Sequence, residues 1–130
     1  MNNDITKHTA NDRFAAHLGI KLLEAGPGYA LAEMEIKEHH LNGVDVVHGG
    51  AIFGLADFVF AVACNAKGPV TLAVNASISY FKAPKGKILT AEAREVTSSR
   101  KLGHYHVDIR DEDKELIARF TGTGYIKGGN

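Results

Sequence analysis

The sequence predicts an α+β fold in which one antiparallel sheet curls around one buried helix. From about Gly50 to Ala66 the chain is apolar on nearly every helical face, and such a helix must be enclosed on most sides. What remains is almost all strand, and its short connections make neighbouring strands antiparallel. A length of 130 residues is typical of one domain, so we expect a single domain over residues 1–130.

The first half of the chain is predicted to hold two helices and a hairpin. The polar N-terminal extension, residues 1–18, ends in a short helix from about Asn11 to Leu18, with Thr9 or Asn11 as its cap and Gly19 as its end. The hairpin and the loop before the apolar helix follow: Ile20 to Ala25, the turn Gly26-Pro27-Gly28, Tyr29 to Ile36, and the loop Lys37 to Val47.

The second half is predicted to complete the sheet. Gly68 and Pro69 end the apolar helix, because glycine and then proline is a common helix exit. Four more strands are predicted after it: Val70 to Phe81, Ile88 to Val96, His104 to Arg110 and Glu115 to Ile126.

The charge balance and the cysteine content exclude several classes of protein. Lys plus Arg number 15 and Asp plus Glu number 15, so the chain lacks the basic surface that general nucleic-acid binding requires. The single cysteine, Cys64, excludes an internal disulfide framework and a Cys-based metal site. The longest apolar stretch, Ala51 to Ala66, is shorter than the roughly 20 residues of a membrane helix, and the N-terminus lacks the apolar core of a signal peptide. We therefore expect a cytoplasmic protein that binds neither nucleic acid nor membranes.

Asp57 is the most informative residue, because it lies in the middle of the apolar helix. An unpaired buried carboxylate is strongly destabilising, and the helix offers no Lys or Arg before Lys67. Asp57 is therefore either a functional carboxylate or one that pairs with a basic residue or a backbone group elsewhere in the fold.

His48, Gly49 and Gly50 stand at the entrance of the helix. Backbone N–H groups there lack partners, and the helix dipole favours negative charge. Glycine lets another group approach the backbone closely, so the N–H of Gly49 or Gly50 is a candidate donor to the oxyanion that forms when a carbonyl is attacked. The alternative is a tight turn that merely needs glycine.

The spacing of these groups predicts a site shared between two chains. Gly49 and Asp57 are eight positions apart, which is about 12 Å along a helix. A donor and an attacking group must both lie within about 3–3.5 Å of one carbonyl. If both are catalytic, the site combines Gly49 of one chain with Asp57 of another, and a twofold dimer holds two such sites.

Two stretches of the chain resemble a known family. The run LNGVDVVHGGAIFGLADFVFAVACN, with SYFKAP at the end of the next strand, resembles the hotdog-fold acyl-CoA thioesterases of the phenylacetic acid degradation (PaaI-like) type. The similarity spans about Gly19 to Lys127. It implies a hotdog fold, a homodimer that pairs into a homotetramer, and hydrolysis of acyl-CoA thioesters without a metal or other cofactor.

The same resemblance assigns roles to four residues. Asp57 matches the catalytic carboxylate, acting as nucleophile or as base for water, and Gly49 matches the residue whose N–H polarises the thioester carbonyl. Asn42 matches an asparagine near the attacking group, and His48 matches the histidine beside the oxyanion donor. Where some members carry a hydroxyl residue early in the next strand, this sequence has Ala73.

Other residues are candidates for binding the substrate. Basic residues cluster around strand ends, where they either hold the phosphates of coenzyme A or are solvated turn charges. Some aromatic residues are candidates for lining the acyl pocket. The predicted substrate-binding residues are Gly50, Phe53, Tyr80, Lys82, Lys85, Arg100 and Lys101.

Three further features are interpreted as structural. Cys64 has no histidine nearby in sequence and is predicted to be a small buried hydrophobe. His104 and His106 share a strand face but lack a third ligand, so no metal is expected. Gly122 and Gly124 lie within a strand and indicate a bulge or a close approach of backbones.

The expected activity is hydrolysis of a small aryl- or medium-chain acyl-CoA to the free acid and coenzyme A. One alternative is a hotdog hydratase or dehydratase that acts on enoyl or hydroxyacyl thioesters. Such enzymes usually pair a catalytic His with Asp or Glu and carry entrance motifs that this sequence lacks. The other alternative is an acyl-CoA-binding module without activity.

Overall fold

The computed structural model describes residues 5–127, which form three helices and one six-stranded sheet. The helices are α1 (Ile5–Ala10), α2 (Arg13–Leu18) and α3 (Gly49–Asn65), and a single 3-10 turn occupies Glu38–His40. The strands are β1 (Ile20–Gly26), β2 (Tyr29–Glu35), β3 (Thr71–Tyr80), β4 (Ile88–Ser98), β5 (Leu102–Arg110) and β6 (Leu116–Ile126). Each strand agrees with its predicted bounds to within two residues. Within residues 5–127, no helix is both long enough and apolar enough to span a membrane.

The prediction for the N-terminal helix is correct at its end and wrong at its start. Asp12 caps α2 by accepting the Ala15 N–H at 2.9 Å. Thr9 lies inside α1, where its hydroxyl donates to the Ile5 carbonyl at 2.7 Å, and is therefore not a cap. Gly19 ends α2 with a left-handed φ of 79°, which glycine adopts without strain.

The sheet is antiparallel throughout, in the order β1-β2-β4-β5-β6-β3. Strands that are neighbours in sequence pair as β1 with β2, β4 with β5, and β5 with β6. Strand β2 also pairs with β4, and β3 pairs with β6. This order makes β3 an edge of the sheet. Within the described chain, its backbone N–H and C=O groups are paired along one side only.

Helix α3 packs on the sheet and contacts all six strands. Twelve of its 17 residues are buried, as the apolar pattern predicts. The residues that stay partly or fully exposed include Gly50, Phe53, Asp57 and Ala61, which recur every three or four positions and so share one face. We call these four residues the open face of α3.

Gly122 and Gly124 of β6 allow close packing at the end of the sheet. A Cβ at Gly122 would lie 2.9 Å from the Phe60 ring, and a Cβ at Gly124 would lie 2.6 Å from Thr71 Cγ2. The register of β3 on β6 also slips opposite this stretch. The close approach and the bulge predicted as alternatives are therefore both present.

Asp111 anchors the loop after β3 to the turn between β5 and β6. Its buried carboxylate accepts the backbone N–H groups of Lys85 (3.0 Å), Asp113 (3.0 Å) and Glu115 (3.1 Å). These bonds, the one from Lys85 foremost, hold the pKa of Asp111 below its usual range. The anchored loop forms one wall of a cavity at the start of α3.

Candidate active site

The start of α3 is organised by His48, the residue before the helix. Its Nδ1 accepts the Gly50 N–H at 2.8 Å, and its carbonyl accepts the N–H groups of Ala51 (3.0 Å) and Ile52 (3.2 Å). His48 thus caps the helix with both its ring and its backbone. Because the Gly50 N–H is satisfied inside the chain, Gly49 is the glycine whose N–H is left for a ligand.

The N–H of Gly49 points away from the helix. It shares a trans peptide with the His48 carbonyl, and the two groups of a trans peptide point in opposite directions. Since that carbonyl faces the first turn of α3, the Gly49 N–H faces outward. No group among residues 5–127 accepts a hydrogen bond from it. An outward N–H at a helix N-terminus is a binding group for an anion or a polarised carbonyl.

Tyr80, at the end of β3, packs over Gly49. Its hydroxyl donates to the Gly49 carbonyl at 2.8 Å, and a Cβ at Gly49 would lie 3.0 Å from Tyr80 Cζ. The peptide between Gly49 and Gly50 is therefore held at its carbonyl by Tyr80 and at its N–H by His48. The sequence carries no signal for this contact, because 31 positions separate the two residues.

A cavity of about 330 Å³ opens in front of Gly49, and we call it the entrance cavity. Ile52 and Phe81 give it apolar walls, and Lys82 stands at its rim. Lys82 forms an ion pair with Glu115 (2.7 Å), which raises the pKa of the Lys82 ammonium. The entrance cavity therefore combines apolar walls with one outward backbone donor and one nearby cation.

Asn42 holds the loop that leads into the entrance cavity. Its Oδ1 accepts the N–H groups of Val44 (3.0 Å) and Val46 (3.1 Å), and a bridge between Leu41 and Val47 closes the loop. Its Nδ2 has no acceptor in the part of the chain that the structure describes. The oxygen of the side chain is thus used by the loop, and the amide N–H groups are left for a ligand.

Asp57 lies two turns farther along α3, on the open face. It is half-buried, and neither a hydrogen bond nor an ion pair from residues 5–127 reaches it. Burial, and to a smaller extent the charge of Asp12, raises the pKa of Asp57 above its usual range. The pairing considered as the alternative role of Asp57 is thus absent from the described chain. A poorly solvated, unpaired carboxylate is suited to act as a base or as a nucleophile.

A cavity of about 270 Å³ opens beside Asp57, between α3 and β3, and we call it the Asp57 cavity. Its walls are mostly apolar and include Phe60, Cys64, Leu72 and Ala73. It shares no lining residue with the entrance cavity. One chain therefore holds Gly49 and Asp57 in two separate cavities, as the spacing along the helix predicts.

Both cavities border the edge strand β3. Leu72 and Ala73 line the Asp57 cavity, and Tyr80 lines the entrance cavity. Leu72 and Val74 are 54% and 60% exposed. Exposed apolar side chains beside unpaired backbone groups are what natural edge strands usually avoid when nothing covers them.

The predicted group of basic residues is divided between two ends of the sheet. Lys82 and Lys85 lie in the loop after β3, near the entrance cavity, whereas Arg100 and Lys101 lie in the turn between β4 and β5. The nine residues of β5, about 30 Å of strand, separate the two ends. Within one chain the four predicted residues therefore form two separate groups, because β4 runs from one end of the sheet to the other.

Phe53 packs against the core and is also part of the open face. Its ring meets the Phe120 ring edge to face at 5.3 Å between centroids, and it is only partly buried. It stands on α3 between Gly50 and Asp57, so a ligand that spans the open face would contact it.

Cys64 agrees with its structural interpretation as a small buried hydrophobe. Cys64 is buried, and burial raises the pKa of its thiol to about 12, so the thiolate is not formed at neutral pH. His104 Nδ1 lies 3.1 Å from Thr123 Oγ1. Among residues 5–127, no three His, Cys, Asp or Glu side chains are grouped closely enough to hold a metal.

Comparisons with known proteins agree with this architecture. Residues 45–118 match the model of the family described as "Thioesterase superfamily". The chain is 33% identical to the acyl-coenzyme A thioesterase PaaI of Escherichia coli over 92% of this chain and 86% of that protein. It is 43% identical to a putative esterase of Archaeoglobus fulgidus over 88% of this chain and 75% of that protein. The solved structure of the Escherichia coli PaaI protein matches with a TM-score of 0.90 at 31% identity, covering 96% of this chain and 91% of that one, which confirms the predicted hotdog fold.

Proposed function

Since the chain belongs to the thioesterase superfamily, we propose that it hydrolyses a small aryl- or medium-chain acyl-CoA to the free acid and coenzyme A. Its likeness to a relative named acyl-coenzyme A thioesterase PaaI makes it a thioester hydrolase of the PaaI-like type. One observation carries the proposal: α3 presents an outward, unpaired N–H at Gly49 and an unpaired, half-buried carboxylate at Asp57.

The two groups supply the two requirements of thioester cleavage. The Gly49 N–H donates to the thioester carbonyl oxygen and stabilises the negative charge that develops there. Asp57 of the partner subunit acts in one of two ways. As a base it takes a proton from water, the hydroxide attacks the carbonyl carbon, the C–S bond breaks, and the proton passes to the coenzyme A thiolate. As a nucleophile it forms a mixed anhydride and releases coenzyme A, and water then cleaves the anhydride.

The shared site requires a homodimer, and β3 is the edge that suits it. A second copy pairing along β3 would cover Leu72 and Val74 and satisfy the free backbone groups. A twofold axis would then bring the entrance cavity of each subunit toward the Asp57 cavity of the other. The resemblance to PaaI-like enzymes further implies that two such dimers pair into a tetramer.

Four basic residues are proposed to hold coenzyme A, from both subunits. Lys82 and Lys85 stand near the entrance cavity that supplies Gly49. Arg100 and Lys101 belong to the end of the sheet that lies nearer the Asp57 cavity. In a shared site these two groups, which are far apart in one chain, would flank one substrate.

Release of thiol from a panel of acyl-CoA thioesters tests the proposed function. A hydrolase gives free thiol, and exhaustive chelation of metals should leave the rate unchanged. A change in enoyl absorbance without thiol release would show a hydratase instead. Binding of acyl-CoA without turnover would show the non-catalytic module.

Tyr80→Phe tests the role of the hydroxyl that holds the Gly49 carbonyl. We expect kcat/KM to fall about three- to tenfold, the scale of one ordinary hydrogen bond, because the outward N–H becomes less well oriented. Binding of coenzyme A alone should be unchanged. Equal losses in coenzyme A binding and in kcat/KM would instead assign Tyr80 to substrate binding.

A further inference from the structure

A smaller cavity of about 120 Å³ borders the Asp57 cavity, and we call it the inner cavity. Cys64 and Thr71 line both cavities and therefore form the wall between them. The wall is tightly packed on its β6 side. A Cβ at Gly124 would lie 2.6 Å from Thr71 Cγ2 and 3.4 Å from Cys64 Sγ.

The inner cavity has apolar walls at Pro69 and Ile126, reaches the exposed residues Lys67 and Ser98, and is also lined by other polar side chains. These side chains are hydrogen-bonded within the described chain: Thr71 to the Pro69 carbonyl, Tyr105 to the Cys64 thiol, and Ser98 and Lys67 to Glu95. Because these hydrogen bonds are made within the chain, the apolar walls of the cavity are left for a hydrocarbon chain. The inner cavity is thus a space that an alkyl chain would fill if the wall were opened.

The distance from Asp57 to this wall is set by the helix. Asp57, Ala61 and Cys64 lie on one side of α3, and all three line the Asp57 cavity. From Asp57 to Cys64 the helix rises about 10 Å. An extended chain advances about 1.2 Å per bond, so about eight bonds cover this distance.

We propose that Cys64 and Thr71 close the acyl pocket and limit the acyl chain to about eight carbons. This inference rests on the proposed function, because it takes Asp57 as the point where the thioester is attacked. The acyl tail runs from Asp57 along α3, through the Asp57 cavity, and ends against the Cys64 sulfur. The inner cavity lies beyond the reach of the tail in the native protein.

Binding of S-alkyl-CoA thioethers of increasing chain length, measured by calorimetry, tests the wall without depending on turnover. For the native protein, affinity should rise with chain length and then fall at about eight carbons. Cys64→Ala joins the two cavities, so affinity should continue to rise by about fourfold for each added methylene that enters the inner cavity. Cys64→Ser is the matched control, because its hydroxyl keeps the wall and the bond to Tyr105, and it should follow the native profile.

Ile126→Phe provides the second test, because Ile126 lines only the inner cavity. As a single substitution, Ile126→Phe should leave the dependence of affinity on chain length as it is in the native protein. Combined with Cys64→Ala, it should abolish the increase in affinity for long chains. The proposal is overturned if folded Cys64→Ala keeps the native profile, if Ile126→Phe alone shortens it, or if no thioether binds. If the protein binds the thioethers with this dependence on chain length but releases no thiol from thioesters, Cys64 and Thr71 still close the pocket. Only the proposed hydrolysis is then contradicted.

Discussion

Asp57→Asn is expected to lower kcat for acyl-CoA hydrolysis by at least about 100-fold, the usual scale for the loss of a positioned base. Asparagine has the same shape but neither attacks a carbonyl nor takes a proton from water. The fold should persist, and the free energy of unfolding at pH 7 should rise. The pKa of Asp57 is raised in the folded state, so its charged form opposes folding at every pH above that pKa. Thiol release and thermal denaturation measure the two effects.

The pH dependence gives an independent check on the same residue. In the native protein kcat/KM should increase with pH as Asp57 loses its proton, with a midpoint above the usual Asp pKa of about 3.9. Asp12→Asn is the matched control, since asparagine caps a helix as well as aspartate does but removes the negative charge near Asp57. Its midpoint should move to lower pH with the plateau unchanged. Near-normal turnover in Asp57→Asn would exclude a catalytic carboxylate, and unfolding would indicate a structural one.

The sequence was sufficient to predict the elements that depend on local pattern. The apolar run of α3 has no polar face, and a helix of that kind has few ways to be enclosed other than by a sheet. A charged residue within such a run departs from the pattern, which is why Asp57 could be identified before its surroundings were known. The strands follow from alternation and from turns with strong signals, such as Asp111 to Lys114, where Lys114 takes a positive φ.

Features that depend on contacts between distant parts of the chain could not be predicted. The pairing of β3 with β6 joins residues about 40 to 55 positions apart, and no local pattern records it. Whether Gly49 or Gly50 offers a free N–H to a ligand depends on the orientation of the peptide between them. The His48 ring and the Tyr80 hydroxyl fix that orientation together.

The complementation of two inactive chains is expected to restore about a quarter of wild-type activity, and it tests the shared site directly. One chain carries Gly49→Pro, which removes the proposed donor, and the other carries Asp57→Asn. The structure favours proline at this position, because Gly49 is the first residue of α3 and His48 before it has the extended φ of −63° and ψ of 134° that proline requires. A new Cβ meets Tyr80, so Gly49→Ala, which makes the same contact but keeps the N–H, is the matched control and should retain more activity than Gly49→Pro.

Each inactive homodimer has one lesion in every site, so neither should turn over substrate at more than about 1% of the wild-type rate. In a mixed dimer, one site receives both lesions and the other receives intact Gly49 and intact Asp57. Random pairing makes half of the dimers mixed, and each mixed dimer has one working site of two, which gives the quarter. The two chains are co-expressed with different affinity tags, and thiol release by the unfractionated mixture is compared with that of wild type. The doubly tagged dimers, purified from the same mixture, should reach about half of the wild-type rate, because every one of them has one working site of two. If both groups acted within one chain, every site in the mixture would keep a lesion and no activity would return. Folded, mixed dimers without activity would therefore exclude a site that takes Gly49 from one subunit and Asp57 from the other.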